Sequence, residues 1–288
     1  MVHVDKNRFG PWAIVTGASS GIGEAFARQL ADNGIHVVLV ARRLALLEAL
    51  GQQLEKEFRV QYRAVELDLS DEDYIATLTE ATRNLDIGLL VSNAGATVYG
   101  DFLTVDRSSL YQSLHLNVTA HLSLIHHYGQ ALAKRGRGGV LLVSSAAALQ
   151  GTPHMADYAA AKAYLLSLGE ALHIEFQKLG LNMTVLLPGP TDTPMLANSG
   201  TEARDMPMKV MSAQQCAAEG LAALNVNKPT HISGSMIRFI MAVIPRSIRP
   251  RMMGDMVAKG LARLNSRPQL SGTENSVSMG GKANEAHR

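Results

Sequence analysis

A chain of 288 residues with one cysteine, Cys216, cannot close an internal disulfide. Its fold must hold by packing, which suits a reducing compartment. Cys216 sits in a helix-like stretch, Ser212-Ala-Gln-Gln-Cys216, where a small buried thiol is the ordinary reading and a nucleophile is not. No uncharged run reaches about 18 apolar residues, the length that spans a bilayer. The nearest approach, residues 236–244, is short and carries Arg238. The first ten residues lack the apolar stretch of a secretion signal. The expectation is therefore a cytoplasmic protein without a transmembrane segment. Net charge is only +2, which gives no electrostatic reason to expect nucleic acid. His121, His126 and His127 share one presumed helix, but no Asp, Glu or Cys joins them at ligand spacing, so no metal is expected.

What is present fits one large α/β domain. The chain is 47% hydrophobic and 18% charged, enough apolar material for a substantial core. Residues 13–15, 36–40, 62–67, 87–91, 140–143 and 183–187 read as strands, several of them apolar on both faces as buried parallel strands are. Residues 230–233 supply a seventh. Between them Leu47, Leu50, Leu54 and Phe58 recur at helical spacing, as do Leu110, Leu114 and Val118, and Leu165, Leu168 and Leu172. This alternation implies a doubly wound parallel sheet of about seven strands with helices on both faces. The expected organisation is a dinucleotide-binding and catalytic domain over 10–234, a basic helical extension over 235–265 packed on it, and a mobile tail over 266–288. Residues 226–273 hold eight basic residues and one acid, Asp255, so the charge is concentrated late in the chain.

Two patterns carry chemistry. Thr16-Gly-Ala-Ser-Ser-Gly-Ile-Gly23 follows a strand and opens a helix. Gly17, Gly21 and Gly23 permit a tight turn, let backbone N–H groups approach a pyrophosphate, and let the helix pack closely on the sheet. Tyr158-Ala-Ala-Ala-Lys162 places a phenol and an ammonium one helical turn apart, which should lower the Tyr158 pKa and make it an acid/base near neutral pH. Ser145 ends an apolar run thirteen residues earlier. The second strand ends Val40-Ala41-Arg42-Arg43, with no acid to bind ribose hydroxyls and with two guanidinium groups suited to a 2′-phosphate; Arg42 is the better candidate.

Taken together, the glycine turn, Ser145 and the Tyr158/Lys162 pair resemble the short-chain dehydrogenase/reductase family over residues 11–234. The resemblance implies a Rossmann-like fold and hydride transfer between NADP(H) and a carbonyl or secondary alcohol. It implies Tyr158 as the acid/base and Ser145 holding the carbonyl oxygen. Lys162 would assist Tyr158 and bind the nicotinamide ribose, and Asn117 would position a water. Ser19, Ser20 and Ile22 belong to the phosphate turn. Asp68 and Leu69 resemble the adenine contact. Ser92-Asn93-Ala94-Gly95 resembles the turn after the fourth strand, departing from the family's Asn at Ser92. Pro188, Gly189, Thr191 and Thr193 resemble the turn after the sixth, with Thr193 the candidate for the carboxamide. The family's dimer helices correspond to 108–134 and 157–179, so a homodimer or homotetramer is implied.

Beyond Thr193, Met195, Leu196, Met206, Met208 and Met211 suggest an adaptable apolar wall and an apolar ketone of lipid, steroid-like or aromatic type. The basic extension is expected to cap the pocket, with weak contact to an anionic membrane surface or an acidic partner as the alternative. A non-enzymatic NADP-sensing protein, or an epimerase or C=C reductase on the same fold, are the rival readings.

Overall fold

A computed structural model of the protein describes residues 3–200 and 209–266. The expected wall residues Met206 and Met208 lie outside the described residues, as does the expected tail 266–288 except Ser266, which ends a helix. Seven strands form one parallel sheet: β1 (Trp12–Thr16), β2 (His36–Ala41), β3 (Tyr62–Glu66), β4 (Ile87–Ser92), β5 (Gly139–Val143), β6 (Asn182–Pro188) and β7 (Thr230–Ser233). Their order across the sheet is β3-β2-β1-β4-β5-β6-β7. The order reverses between β1 and β4, which opens a crevice at the carboxyl ends of those strands, where ligands bind in such folds.

The strands are apolar on both sides because helices cover both sides. Ala13, Val15, Val37 and Leu39 face a cluster with Phe26 and Leu30 of α1 (Gly21–Asp32), Leu47 and Leu54 of α2 (Leu44–Phe58), and residues late in the chain described below. The alternate residues, Ile14, Val38 and Val40, face Leu78 of α3 (Tyr74–Thr82). The same cluster takes Leu124 and Tyr128 of α5 (Ala120–Arg135), the continuation of α4 (Arg107–Leu114), and Leu165 and Phe176 of α6 (Ala156–Gln177). The period of two along each strand thus divides one sheet between two cores. Burying each such Leu, Ile or Phe contributes about 1.5–3 kcal/mol.

The end of the sheet remote from the crevice is fastened by Arg135, whose guanidinium bonds the Asp86 carboxylate at 2.7 Å and the Arg8 carbonyl at 3.0 Å. At the β7 edge, α7 (Ala213–Asn225) packs Cys216, Leu221 and Leu224 into the first cluster. Glu219 on α7 accepts from His231 Nε2 at 2.9 Å, Gly234 N–H at 3.1 Å and Arg238 at 3.1 Å. That one carboxylate therefore ties α7 to β7 and to α8 (Ser235–Val243). The Arg249 guanidinium donates to the Met241 and Ile244 carbonyls, which caps the end of α8 where helix carbonyls lack partners. The last described helix, α9 (Arg249–Ser266), lays Gly254 against Pro153 and Gly260 against Gly200. A side chain on Gly254 would strike Pro153, and one on Gly200 would strike the Gly260 carbonyl of α9.

Candidate active site

The turn from β1 to α1 forms one side of the crevice. Gly17 and Gly21 have φ of 67° and 61°, a backbone shape that side chains disfavour. A methyl on Gly23 would lie 2.2 Å from the Gly17 carbonyl oxygen. The turn is pinned to the end of β4. Thr16 Oγ1 accepts from the N–H groups of Asn93 (2.8 Å) and Ala94 (3.0 Å), and Asn93 Nδ2 donates to Thr16 O (2.9 Å). Ser20 stands at the helix N-cap but makes no side-chain bond to the first turn. The N-terminal N–H groups of α1 are left for an anion at the positive end of the helix dipole.

A cleft of about 360 Å³ follows this turn, lined by Gly17, Ser19, Ser20, Gly21, Ile22, Gly23, Arg42, Arg43, Asp68, Leu69, Asn93, Ala94, Gly95 and Thr193. The two arginines part company here. Arg43 donates to Ser19 Oγ at 2.7 Å and Ser20 Oγ at 3.1 Å, so its charge sits over the glycine turn. Arg42 is largely exposed and faces the Asp68 carboxylate at 3.7 Å. Both arginines line the cleft, Arg43 turned toward the glycine turn and Arg42 toward Asp68. Burial alone would raise the Asp68 pKa, but hydrogen bonds from Ser70 and the charge of Arg42 outweigh it and hold the carboxyl below its usual range. A glycine cradle at a free helix N-terminus with a guanidinium above it fits the phosphates of a dinucleotide.

A second cavity of about 510 Å³ adjoins the first, and Ile22, Asn93, Gly95, Thr193 and Met195 line both. Ser145, Tyr158, Lys162, Pro188, Gly189 and Thr191 line the second. Strand alternation separates the two serines at the end of β5. Ser144 Oγ donates to the Lys162 carbonyl at 2.7 Å. Ser145 Oγ accepts from Ala147 N–H at 3.1 Å and, with Tyr158, lines the same cavity. Lys162 Nζ lies 5.6 Å from the Tyr158 ring centre and donates to Val143 O at 3.2 Å.

Asn117 is in neither cavity lining. It sits behind Gly95 on a widened π turn, His115–Thr119, that joins α4 to α5. Such bulges bring a side chain inward out of register. Its Nδ2 donates to Ala96 O at 2.7 Å, and its Oδ1 is buried without a protein partner. Gly95 separates that oxygen from Lys162 Nζ: a methyl there would lie 2.9 Å from one and 3.4 Å from the other.

The expected lowering of the Tyr158 pKa does not hold in this structure. Burial pushes the phenol up to about 12; the Ser145 hydroxyl opposes this and nearby Tyr99 adds to it. Burial also brings Lys162 down to about 7. A lysine without water near neutral pH is only partly charged, so it cannot hold a phenolate as an exposed ammonium would. Tyr158 is consequently a firmly protonated donor.

The roof of the second cavity comes from the extension: Ile237, Ile240 and Met241 on α8, and Met252, Met253, Met256 and Val257 on α9, with Asp255 and Lys259 at the rim. Of the expected wall, Met195 and Leu196 line the cavity, whereas Met211 does not. It is buried in the cluster beneath α7, because the short strand Met211–Ser212 pairs with Thr191–Asp192 and turns it inward. Sequence reading also missed Tyr99, which lines the cavity, and the partner of Ser92. Ser92 Oγ bonds His121 Nδ1 at 2.6 Å, and His121 Nε2 meets Ala94 O at 2.9 Å. A carbonyl opposite Nε2 requires N–H there, so Ser92 donates to Nδ1 and the ring is neutral. Burial and the nearby Lys162 push its pKa down to about 3. Ser92 thus replaces the family's Asn with a hydroxyl–imidazole prop under the same turn. Among the described residues there is no group of three or more His, Cys, Asp or Glu side chains able to hold a metal.

The family model for short chain dehydrogenase matches residues 11–204. The chain is 31% identical over 194 residues to a 7beta-hydroxysteroid dehydrogenase of Mediterraneibacter gnavus, covering 67% of this chain and 74% of that protein. Among solved structures it resembles a short-chain dehydrogenase from Sphingobium yanoikuyae in complex with NADPH, at 26% identity and a TM-score of 0.73, covering 92% of this chain and 99% of the other. It also resembles the bulky-bulky ketone specific alcohol dehydrogenase from Comamonas testosteroni, at 25% identity and a TM-score of 0.70, covering 93% and 99%.

Proposed function

The chain belongs to the short-chain dehydrogenase family of oxidoreductases, and we propose that it interconverts a bulky apolar ketone and its secondary alcohol using NADP(H). The observation that carries this reading is that Tyr158 and Ser145 line one apolar cavity, which adjoins a glycine cradle. Two hydroxyl donors in one cavity suit an oxygen that gains negative charge, which favours a carbonyl over a C=C bond. When bound, NADPH supplies a hydride to the carbonyl carbon. Tyr158 gives its proton to the oxygen, Ser145 holds that oxygen, and the product is the alcohol. Lys162 lies beneath Tyr158 to bind the ribose, and the buried Asn117 oxygen behind Gly95 suits a water on the way to Lys162.

The choice of NADP over NAD rests on Ala41 where an acid would repel a 2′-phosphate, and on Arg43 above the turn. Bulk and apolarity are supported by the 510 Å³ cavity with its Met and Ile roof, and by the relatives' hydroxysteroid and bulky ketone substrates. We place the protein in the cytoplasm, to which its lone buried cysteine is suited. It would work there as a homodimer or homotetramer, for which Tyr111, Leu122, Tyr164 and Ile174 leave exposed apolar surface on α4, α5 and α6.

Tyr158→Phe keeps the ring and removes the donor. Turnover of a steroid or bicyclic ketone should fall about 10²–10⁴-fold, with NADPH binding, followed by nucleotide fluorescence, unchanged. Near-parental turnover by the Phe variant would refute the assignment.

A further inference from the structure

Helix α8 carries apolar side chains on two faces with different surroundings. Ile237 and Met241 point inward, are buried and line the cavity. Met236, Phe239 and Val243, on the other side, are 53%, 63% and 61% exposed, and Ile248 in the turn to α9 is 54% exposed. Four large apolar side chains left in water within thirteen residues form a patch that a surface ordinarily reserves for contact. The charge around it is mostly positive. Residues 235–266 contain six basic residues and one acid, Asp255. Arg238 is held by Glu219 and Arg249 by the carbonyls at the end of α8. Arg246 and Arg251 are exposed and, among the described residues, paired with no acid.

We propose that the outer face of α8 docks on an anionic lipid surface. Met236, Phe239, Val243 and Ile248 enter the headgroup boundary, and Arg246 and Arg251 meet the anionic headgroups. Two arguments select a bilayer over a second copy of the chain. The exposed parts of the four side chains amount to roughly 400 Å², about half of what each partner gives to a stable protein interface. A two-fold contact would also bring Arg246 and Arg251 close to the same cations of the other copy, with little acid nearby to receive them. The inner face of α8 roofs the cavity, so one helix would separate that cavity from the lipid phase. Docking is measured without substrate and stands or falls apart from the reaction proposed above.

The test uses the full chain and sedimentation with vesicles of phosphatidylcholine alone or with one part in three phosphatidylglycerol. Binding is expected to the anionic vesicles at low salt. It should weaken steeply as salt rises and the screening length shortens from ~30 Å at 0.01 M to ~8 Å at 0.15 M. Replacing Arg246 and Arg251 together by Gln, two exposed positions outside the cavity, should lower binding by about fivefold per residue. Phe239→Ser with Val243→Ser should abolish it while NADPH binding and melting temperature stay at parental values. Equal binding to neutral and anionic vesicles, or no loss in the arginine variant, overturns the proposal even if the serine pair disturbs folding. A fall in particle mass of the serine variant by light scattering, with no parental vesicle binding, identifies a second copy as the occupant instead.

Discussion

Lys162 should make the nucleotide-free protein less stable than it would be with an apolar side chain in its place. The lysine is 3% exposed, and burial lowers its pKa from 10.5 to about 7. Below pH 7 it is protonated in both folded and unfolded chains, and the fold carries the whole cost of hiding a cation. Between pH 7 and 10.5 the unfolded chain keeps a proton that the folded one has released. Stability therefore rises with pH across that window, approaching about 1.4 kcal/mol per pH unit, and the cost at pH 7 is roughly 4 kcal/mol. Lys162→Met preserves length and removes the charge, but forfeits the bond to Val143 O, worth about 1 kcal/mol. The Met variant should be more stable at pH 7 by roughly 3 kcal/mol. Urea unfolding of both proteins at half-unit steps from pH 6 to 9.5 measures this, and the advantage should shrink steadily above pH 7. A Met variant that is less stable at pH 7, or an advantage that does not change with pH, would refute the reasoning. Under the proposed function the same variant should also lose turnover, so that the site is held at a cost to stability.

Arg43→Ala should weaken NADPH binding about ten- to hundredfold while changing NADH binding little, because only NADPH carries the 2′-phosphate. Arg42→Ala, which releases Asp68, should do much less. Fluorescence titration with both nucleotides decides it, and equal losses for the two nucleotides in the Arg43 variant would show that its charge acts elsewhere. Gly23→Ala forces its methyl to within 2.2 Å of the Gly17 carbonyl, so the turn must open. Nucleotide affinity should drop at least tenfold, with a stability loss of about 1–3 kcal/mol by thermal denaturation. Parental affinity in that variant would mean the cradle is not where the phosphates lie.

Much of the fold was legible because parallel strands hidden on both faces must be apolar at every position. The runs at 13–15, 37–40 and 140–143 show that directly, and the glycine turn announces itself by needing residues without side chains. The parts that escaped depend on distances along the chain or on burial. Ser92 and His121 are 29 residues apart and meet only after β4 and α5 pack. Arg42 and Arg43 are chemically alike, and only the backbone direction at the end of β2 aims one at Ser19 and the other at Asp68. Met211 and Met195 read alike as apolar, but a two-residue ladder turns one into the core. The Tyr158 pKa was misjudged because helical spacing reports that Lys162 is near, and not that water is excluded from both.

The cavity's two sides have different origins in the chain. The glycine cradle and the Ser145/Tyr158/Lys162 group gather residues scattered from Gly17 to Thr193, whereas the roof comes from one contiguous stretch, 237–259, held to the body by Glu219, Pro153 and Gly200. Such a roof is a cassette. Under the proposed function, replacing 235–266 by the corresponding segment of a relative would change what the cavity accepts while leaving Ser145, Tyr158 and Lys162 untouched, so new substrate ranges would arise by exchange of one contiguous piece instead of by coordinated change across the fold.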